Sequence, residues 1–288
     1  MRVIFISTVK NRLLKIEERK SSSSHSVPFK DIAAVICNTP QITLTQNVIS
    51  SLAEAGGIFV TTDSKHLPLA MTLPVATNTY QSERMNSQAE LKKTVKKRLW
   101  QQIIKVKIIN QAKILELLKG NDFGLKKIAE KVRSADSANA EAHAGKVYFK
   151  ALQFFERRDR HAEDNNILLN YGYSVLHAAA ARALCGSGLH PSLGINHHSR
   201  YNQFCLASDI MEPLRPLIDY AAAEVIAESG DSVVLDKKTK AALLKPLIRG
   251  RVNIDNKKSE VFFALTKTAK SYVDVCSGKR DNLLLPSV

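Results

Sequence analysis

The hydrophobic pattern of the chain changes near residue 80, and this change restricts the possible folds more than any other feature. Before it, short apolar runs rich in β-branched and aromatic residues alternate with turn residues, at positions 3–6, 13–16, 33–37, 57–61 and 67–73. Runs of this kind predict β-strands. From residue 89 onward, apolar residues recur at steps of three and four, which predicts amphipathic helices.

We therefore predict an α+β fold with a small β-rich N-terminal domain at residues 1–78, a linker at 79–88 and a larger all-α domain at 89–288. One helix is expected in the first domain, at residues 45–55, because helical spacing there ends at Gly56 and Gly57. The linker is inferred from a loss of periodicity. The first domain is interpreted as a scaffold or dimerisation module, and residues 278–288 as a frayed tail.

The net charge of +15 indicates a polyanionic partner, either nucleic acid or an anionic membrane. No apolar run approaches the roughly 20 residues that span a bilayer, so nucleic acid is favoured. Between residues 84 and 133, fourteen Lys and Arg face four Asp and Glu. This excess of positive charge predicts a surface that contacts phosphate groups. The alternative is a helix face that is simply solvated. The candidate phosphate contacts, including a second basic region, are Lys92, Lys93, Lys96, Lys97, Arg98, Lys237, Lys238, Arg249 and Arg251.

The cysteine pattern favours a cytoplasmic protein. The four cysteines, at positions 37, 185, 205 and 276, form no C-x-x-C pair. Neither a zinc knuckle nor a disulfide framework is therefore indicated. We expect reduced thiols.

Residues 194–219 contain the densest set of candidate ligands. His197 and His198 lie in a turn rich in Gly, Pro and Ser, and a helix is predicted to begin at Ser208. Asp209 and Glu212 would then share one face of that helix, since they are three residues apart. Imidazole and carboxylate together form a ligand set for a borderline or hard divalent cation.

A further carboxylate, Glu141, is expected on the inward face of another helix. Asp136 or Ser137 is a plausible N-cap, and Glu141 is aligned with Tyr148 and Leu152. An inward carboxylate needs a compensating partner, because burying it alone is costly. The alternative is a glutamate placed at the helix N-terminus for its favourable interaction with the helix dipole.

These residues favour metal-assisted phosphoryl chemistry. A G-x-S-x-G nucleophile motif and zinc spacings are absent from the sequence. Carboxylates and imidazole beside a phosphate-attracting surface suit Mg²⁺ or Mn²⁺ acting on a phosphodiester. The residues alone therefore favour a nuclease-like enzyme, with a non-catalytic basic DNA-binding scaffold as the alternative.

Three motifs resemble the CRISPR-associated adaptation endonuclease/integrase, the universal first component of spacer acquisition. They are Asn-Ala-Glu-Ala-His-Ala-Gly-Lys-Val-Tyr-Phe at 139–149, Leu-Leu-Asn-Tyr-Gly-Tyr-Ser-Val-Leu at 168–176, and the stretch at 194–219. The part of that stretch running Tyr-Asn-Gln-Phe-Cys-Leu-Ala-Ser-Asp-Ile-Met-Glu is similar to the type II branch. Ala142 departs from the Gly usual in that branch.

The resemblance implies a metal-dependent homodimer, joined through its β domain, with two dimers flanking a dimer of a small second adaptation protein. It implies capture of double-stranded DNA (the protospacer), whose 3′-hydroxyls attack the CRISPR repeat. By position, Glu141, His197 and Glu212 match the family's catalytic metal ligands. Asp209 matches an acidic near-site position of less uniform role. The fifteen-residue step to Glu212 favours His197 over His198, which is then a neighbouring side chain.

Overall fold

The computed structural model describes residues 4–9, 12–18, 24–37, 39, 41–62, 68–72, 78–153, 165–229 and 233–288. Contacts divide the chain into two compact units, Met1–Thr79 and Tyr80–Val288. Strands dominate the first and helices the second, so the predicted α+β class is confirmed. None of the helices in the described ranges is long and apolar enough to cross a membrane.

The first unit contains two sheets. One has the order β3-β2-β1-β5, in which β1 pairs antiparallel with β2 and parallel with β5; its strands are β1 (Ile4–Val9), β2 (Leu13–Glu18), β3 (Ser24–Pro28) and β5 (Ile42–Leu44). The other has the order β4-β6-β7, and its strands are β4 (Ala34–Cys37), β6 (Ile58–Thr62) and β7 (Pro68–Thr72).

Helix α1 (Gln46–Glu54) packs its apolar face into the core of this unit. Val48 and Leu52 are completely or almost completely buried and cluster with Ile6, Phe29 and Phe59. The helix and the predicted strands are found at the expected places. Strands β3 and β5 were not predicted, because the exposed Ser-His-Ser-Val-Pro of β3 lacks an apolar run and β5 has only three residues.

The helical unit is built on two long helices, α3 and α6, of which α6 is buried over most of its length. The unit comprises α2 (Gln81–Ala89), α3 (Lys93–Lys119), α4 (Leu125–Glu130), α5 (Ala140–Leu152), α6 (Asn166–Gly186), α7 (Cys205–Met211), a 3₁₀ turn (Glu212–Leu214), α8 (Arg215–Ser229), α9 (Lys237–Arg249), a hairpin of β8 (Arg251–Ile254) and β9 (Lys257–Glu260), and α10 (Val261–Cys276). Helix α3 contacts α5, α8 and the 3₁₀ turn, and this contact positions the candidate site.

Residues 79–88, predicted as a linker, contain helix α2 and belong largely to the helical unit. Arg84 donates to the carbonyl of Ser187 at 3.0 Å, and the buried amide of Gln88 donates to the carbonyl of His190 at 2.9 Å. The polar side chains that interrupt the apolar pattern satisfy the backbone of a neighbouring loop.

The second unit is not all-α as predicted, because a hairpin interrupts the basic region after α9. Val252 and Ile254 alternate into the interior along β8. Asp255 and Asn256 form its turn at φ of 54° and 57°, a conformation that Asp and Asn tolerate better than most side chains.

The segment after α10 is ordered rather than frayed, which corrects the prediction for residues 278–288. Ser287 pairs with Asn253 through two backbone hydrogen bonds of 2.7 and 2.8 Å. The buried amide of Asn110 donates to the carbonyls of Pro213 and Pro286 and accepts from the backbone N–H of Val288. A buried amide requires such partners, and here they tie the segment to the residue after Glu212.

Candidate active site

Two of the predicted carboxylates converge on a single lysine. Nζ of Lys107, on α3, lies 2.6 Å from Oε1 of Glu141 on α5 and 2.6 Å from Oε2 of Glu212 in the 3₁₀ turn. The side chain of Glu212 is only 3% exposed, whereas that of Glu141 is 32% exposed. Lys107 is therefore the compensating partner that the inward position of Glu141 requires.

Glu141 is held in place by the N-terminus of α5. The carboxylate of Asp136 accepts hydrogen bonds from the backbone N–H groups of Ala140 and Glu141, at 2.8 and 3.0 Å. The N-cap residue itself is Asn139 and not Asp136 or Ser137 as predicted, but Asp136 satisfies two N–H groups at the start of the helix from outside it. The buried Tyr148 and Leu152 fix the same helix face further along.

Glu212 is ionised although it is buried. Burial by itself raises the pKa of this carboxyl, but the charges of Arg215 and Lys107 outweigh that effect and hold the pKa below its ordinary value. Nε of Arg215 lies 3.0 Å from Oε1 of Glu212. The other oxygen, Oε2, is in contact with Nζ of Lys107 at 2.6 Å.

A buried polar layer supports Arg215. Its guanidinium lies over the ring of Tyr173, 4.8 Å from the centroid, and the Tyr173 hydroxyl donates a short hydrogen bond to Asp219. Burial raises the pKa of Asp219 to about 6, against the hydrogen bonds from Tyr173 and Tyr148 and the charge of Arg215. These residues therefore hold the guanidinium of Arg215 against Glu212.

Sequence reasoning missed Lys107, Arg215 and Asp219. Lys107 is hidden within a lysine-rich helix, yet it follows the buried Ile103 and Ile104 by four and three residues. That spacing places it on the inward face, which was the available signal.

His197 is fixed by Asp209. Nδ1 of His197 lies 2.6 Å from Oδ1 of Asp209, and the fully buried Asp209 also accepts from the backbone N–H groups of Ile195, Asn196 and His197. The hydrogen bond to Asp209 raises the pKa of His197, partly against burial. The ring is also held edge-on by Trp100 at 5.6 Å. Nε2 is then the ring nitrogen left for a ligand.

Asp209 and Glu212 make different contacts, and the helix that carries Asp209 begins earlier than predicted. Helix α7 begins at Cys205 instead of Ser208 and ends at Met211, so the backbone tightens into the 3₁₀ turn between the two carboxylates. Asp209 faces the loop at 195–197 and Glu212 faces Lys107. Gly194 allows this close packing, since a Cβ there would lie 2.3 Å from the carbonyl of His197.

The carboxylate pair suits a hard divalent cation, because two oxygens already meet at one positive charge. His197 acts electrostatically on Glu212 but does not join the pair in a ready three-ligand cluster. Indeed, across the described residues no group of three His, Cys, Asp or Glu side chains is arranged to hold a metal ion. His198 is exposed and contributes to the same cleft as His197.

His197 also faces an open, basic cleft. His197 and His198 line it together with Lys96, His190 and Arg200. Nζ of Lys96 donates to the carbonyl of Gly194 at 3.2 Å, which anchors one wall. The lining therefore combines a rigid backbone with groups that attract phosphate.

The other predicted phosphate contacts lie at two places on the helical unit. Lys92, Lys93, Lys97 and Arg98 are exposed around the start of α3, where Arg98 also pairs with Asp281 at 3.3 Å. Lys237 and Lys238 begin α9, Arg249 ends it and Arg251 opens β8, all four of them exposed. DNA contact at these positions stays a prediction.

Comparison with known proteins identifies relatives across the whole chain. The sequence matches the family described as CRISPR associated protein Cas1 over residues 5–249. It is 35% identical over 287 residues to the CRISPR-associated endonuclease Cas1 of Neisseria meningitidis serogroup C (strain 8013), covering 98% of this chain and 92% of that protein. A Cas1 endonuclease of Pyrobaculum aerophilum (strain IM2) is 25% identical over 234 residues, covering 76% of this chain and 79% of that protein.

Solved structures share the fold. A casposase bound to its integration product superposes with a TM-score of 0.80 at 19% identity, covering 98% of this chain and 90% of that one. The Cas6-RT-Cas1–Cas2 complex gives 0.72 at 20% identity, covering 97% and 34%. A CAS1 protein from Thermotoga maritima gives 0.70 at 14% identity, covering 96% and 95%.

Proposed function

Since this chain belongs to the Cas1 family of CRISPR-associated proteins, we propose that it is a metal-dependent DNA endonuclease/integrase of CRISPR adaptation. Its substrate is double-stranded DNA, the protospacer. The reaction joins the 3′-hydroxyl ends of the fragment to the CRISPR repeat as a new spacer. The long motif at 201–212 supports membership of the type II-like branch.

The convergence of Glu141 and Glu212 on one positive charge carries the proposal. Two glutamates from different helical elements are brought within 2.6 Å of the same ammonium. His197, whose charge acts on Glu212, lines a cleft together with basic side chains. An arrangement that gathers negative charge in a basic surface suits a cation and a phosphodiester together.

We assign Glu141, Glu212 and His197 as the ligands of one Mg²⁺ or Mn²⁺. When bound, the cation would polarise the phosphodiester and neutralise the charge that develops during the displacement. The chain's own groups supply the rest. Arg215 keeps Glu212 ionised and oriented, Asp209 holds Nδ1 of His197 so that Nε2 is available, and Lys96 and Arg200 attract phosphate in the cleft.

The same proposal includes partners. The structural neighbour named as a Cas6-RT-Cas1–Cas2 complex contains Cas2, and this supports a small second adaptation protein as partner of this chain. We further propose a homodimer formed through the β-rich unit, with two dimers flanking one partner dimer. The net charge of +15 supports binding of both the protospacer and the repeat.

The test is strand joining by the purified protein with its small partner. A 3′-hydroxyl DNA fragment and a repeat-containing plasmid are the substrates, with Mg²⁺ or Mn²⁺ present. Glu212→Gln and Glu141→Gln are expected to reduce joining by about a hundredfold or more, because each removes a charged ligand. Glu228→Gln, at an exposed position of α8, is the matched control and retains activity. Unchanged joining by both active-site variants would refute the assignment.

A non-catalytic DNA-binding scaffold is the second candidate, and one observation favours it. The described side chains do not form a ready three-ligand cluster. A scaffold predicts DNA affinity that a chelator leaves unaltered and no joining of strands under any metal condition. Joining that EDTA abolishes excludes it.

A further inference from the structure

Lys107 occupies the place between the two carboxylates that a metal ion would need. Its ammonium is 2.6 Å from an oxygen of each glutamate. A magnesium ion lies about 2.0–2.1 Å from its oxygen ligands. Two cations bound to the same pair of oxygens would be forced into close contact, so the ammonium and the metal exclude each other.

The charges around the site favour the same exclusion. With Lys107 in place, two carboxylates are balanced by two cations, Lys107 and Arg215. Adding a divalent ion would leave two uncompensated positive charges in a largely buried site. If the ammonium moves away, only one positive charge remains, and a single phosphodiester neutralises it.

The backbone of Lys107 is fixed, whereas its side chain can move. The neighbouring Ile103, Ile104 and Ile108 are fully buried in α3. The flexible lysine side chain, with its four methylene groups, can therefore change rotamer without disturbing the helix.

We propose that Lys107 is a built-in counter-cation that holds Glu141 and Glu212 together before metal binds and that the metal displaces. This inference rests on the proposed function, because it assumes that the carboxylate pair is a metal site. It explains why the carboxylates are gathered while the three-ligand cluster is incomplete. It also makes Lys107 a positioning residue that sets the affinity for the metal.

Lys107→Met tests the proposal, because it keeps an unbranched side chain one atom shorter and removes the charge. Mn²⁺ binding is measured without DNA, by electron paramagnetic resonance of the free ion. We expect Lys107→Met to bind Mn²⁺ at least about tenfold more tightly than the unmodified protein, since the competing cation is gone. Lys105→Met, at an exposed position on the same helix, is the matched control and should bind as the unmodified protein does. Equal affinity in Lys107→Met and the unmodified protein overturns the proposal.

Thermal unfolding provides a second measurement. In EDTA, Lys107→Met should melt at a lower temperature than the unmodified protein, because two carboxylates then repel each other without a cation between them. Mn²⁺ should raise its melting temperature more than that of the unmodified protein. The same rise in both proteins counts against the proposal.

The unmodified protein allows a test that does not depend on folding of the variant. In ¹⁵N-lysine-labelled protein, the ammonium signal of Lys107 is assigned by its loss in Lys107→Arg. We expect saturating Mg²⁺ to abolish or move this signal, whereas its persistence without change contradicts displacement.

Glu212→Gln separates failure of this inference from failure of the proposed function. If Glu212→Gln binds Mn²⁺ as the unmodified protein does, the metal site itself is wrong. If Glu212→Gln loses Mn²⁺ while Lys107→Met binds as the unmodified protein, only the role of Lys107 fails.

Discussion

Asp209 is a single carboxylate on which the whole loop at 195–197 depends. It accepts three backbone hydrogen bonds, of 2.6, 3.1 and 3.2 Å, and a fourth from Nδ1 of His197. An asparagine side chain at this position would point its NH₂ group at groups that are themselves hydrogen-bond donors. The position therefore requires a carboxylate.

We predict that Asp209→Asn lowers the free energy of unfolding by roughly 2–3 kcal/mol, because buried donors lose their acceptor. It should also lower the pKa of His197, since the hydrogen bond that raises it is weakened. Denaturant unfolding and the NMR titration of His197 measure the two effects. An unshifted titration midpoint of His197 would contradict the assigned contact.

His177 predicts a pH dependence of stability. Burial lowers its pKa from 6.5 to about 4, and its Nε2 lies 3.2 Å from Oγ of Ser208. Because the unfolded chain binds the proton more readily, the stabilising contribution is complete above pH 6.5 and is lost as the pH falls toward 4. This loss is on the order of 2 kcal/mol, allowing for the partial exposure of the ring.

The measurement compares the unmodified protein with His177→Gln by denaturant unfolding at pH 7 and pH 4.5. The difference in free energy of unfolding between the two proteins should change by about 2 kcal/mol between the two pH values, with the glutamine variant relatively more stable at pH 4.5. Asp219 has the opposite effect on stability. Because its pKa is raised to about 6 in the folded protein, its contribution to the free energy of unfolding increases as the pH falls through that value. A difference that is independent of pH would contradict the assignment for His177.

At the scale of elements, the approach of α6 to α8 depends on one glycine. A Cβ on Gly172 would lie 2.3 Å from Cγ2 of Ile218, which is fully buried. The two helices therefore pack with a side chain of α8 against the bare backbone of α6.

We predict that Gly172→Ala destabilises the protein by about 1–3 kcal/mol through overpacking. In a double-mutant cycle with Ile218→Ala, the combined cost should be smaller than the sum by at least about 1 kcal/mol, since the new methyl occupies the vacated space. Gly145→Ala on α5 is the control, because a Cβ there meets no atom within 4 Å. Additive costs in the cycle would refute the contact.

Elements with strong local signals could be predicted from the sequence, and those set by tertiary contacts could not. The alanine-rich stretch at 165–185 predicts α6 to within a residue at each end. The 3₁₀ turn at Glu212 carries no such signal, since it arises where α7 and α8 meet α3. The same holds for α2, whose polar residues are used in bonds to a distant loop.

The site was predictable in its residue types but not in its arrangement. Glu141 and Glu212 could be selected by chemistry and helix position, whereas their meeting at Lys107 depends on three elements that are remote in sequence. A lysine among many others on α3 gives no sign that it faces inward with two acids, apart from its spacing from Ile103 and Ile104.

At the scale of the whole molecule, the positive charge should govern DNA affinity. We predict that the double variant Lys93→Gln, Lys97→Gln has a shallower slope of log binding constant against log salt concentration for duplex DNA. The slope should be smaller by up to about 2, because each phosphate contact contributes about 0.9. Fluorescence anisotropy over a range of NaCl concentrations measures it.

The control removes the same charge elsewhere. Arg12→Gln with Lys30→Gln lies in the β-rich unit, where both side chains are exposed. It should alter the slope less than the α3 pair does. Equal slopes in the two double variants would show that net charge, and no local surface, determines binding.

The buried amide of Asn110 links Pro286 and Val288 to Pro213, the residue after Glu212. A bulky label at Pro286 or Val288 would disturb these hydrogen bonds and, through Asn110, the turn that carries Glu212. The exposed Lys279 is a better position for a label, because its side chain takes no part in these hydrogen bonds.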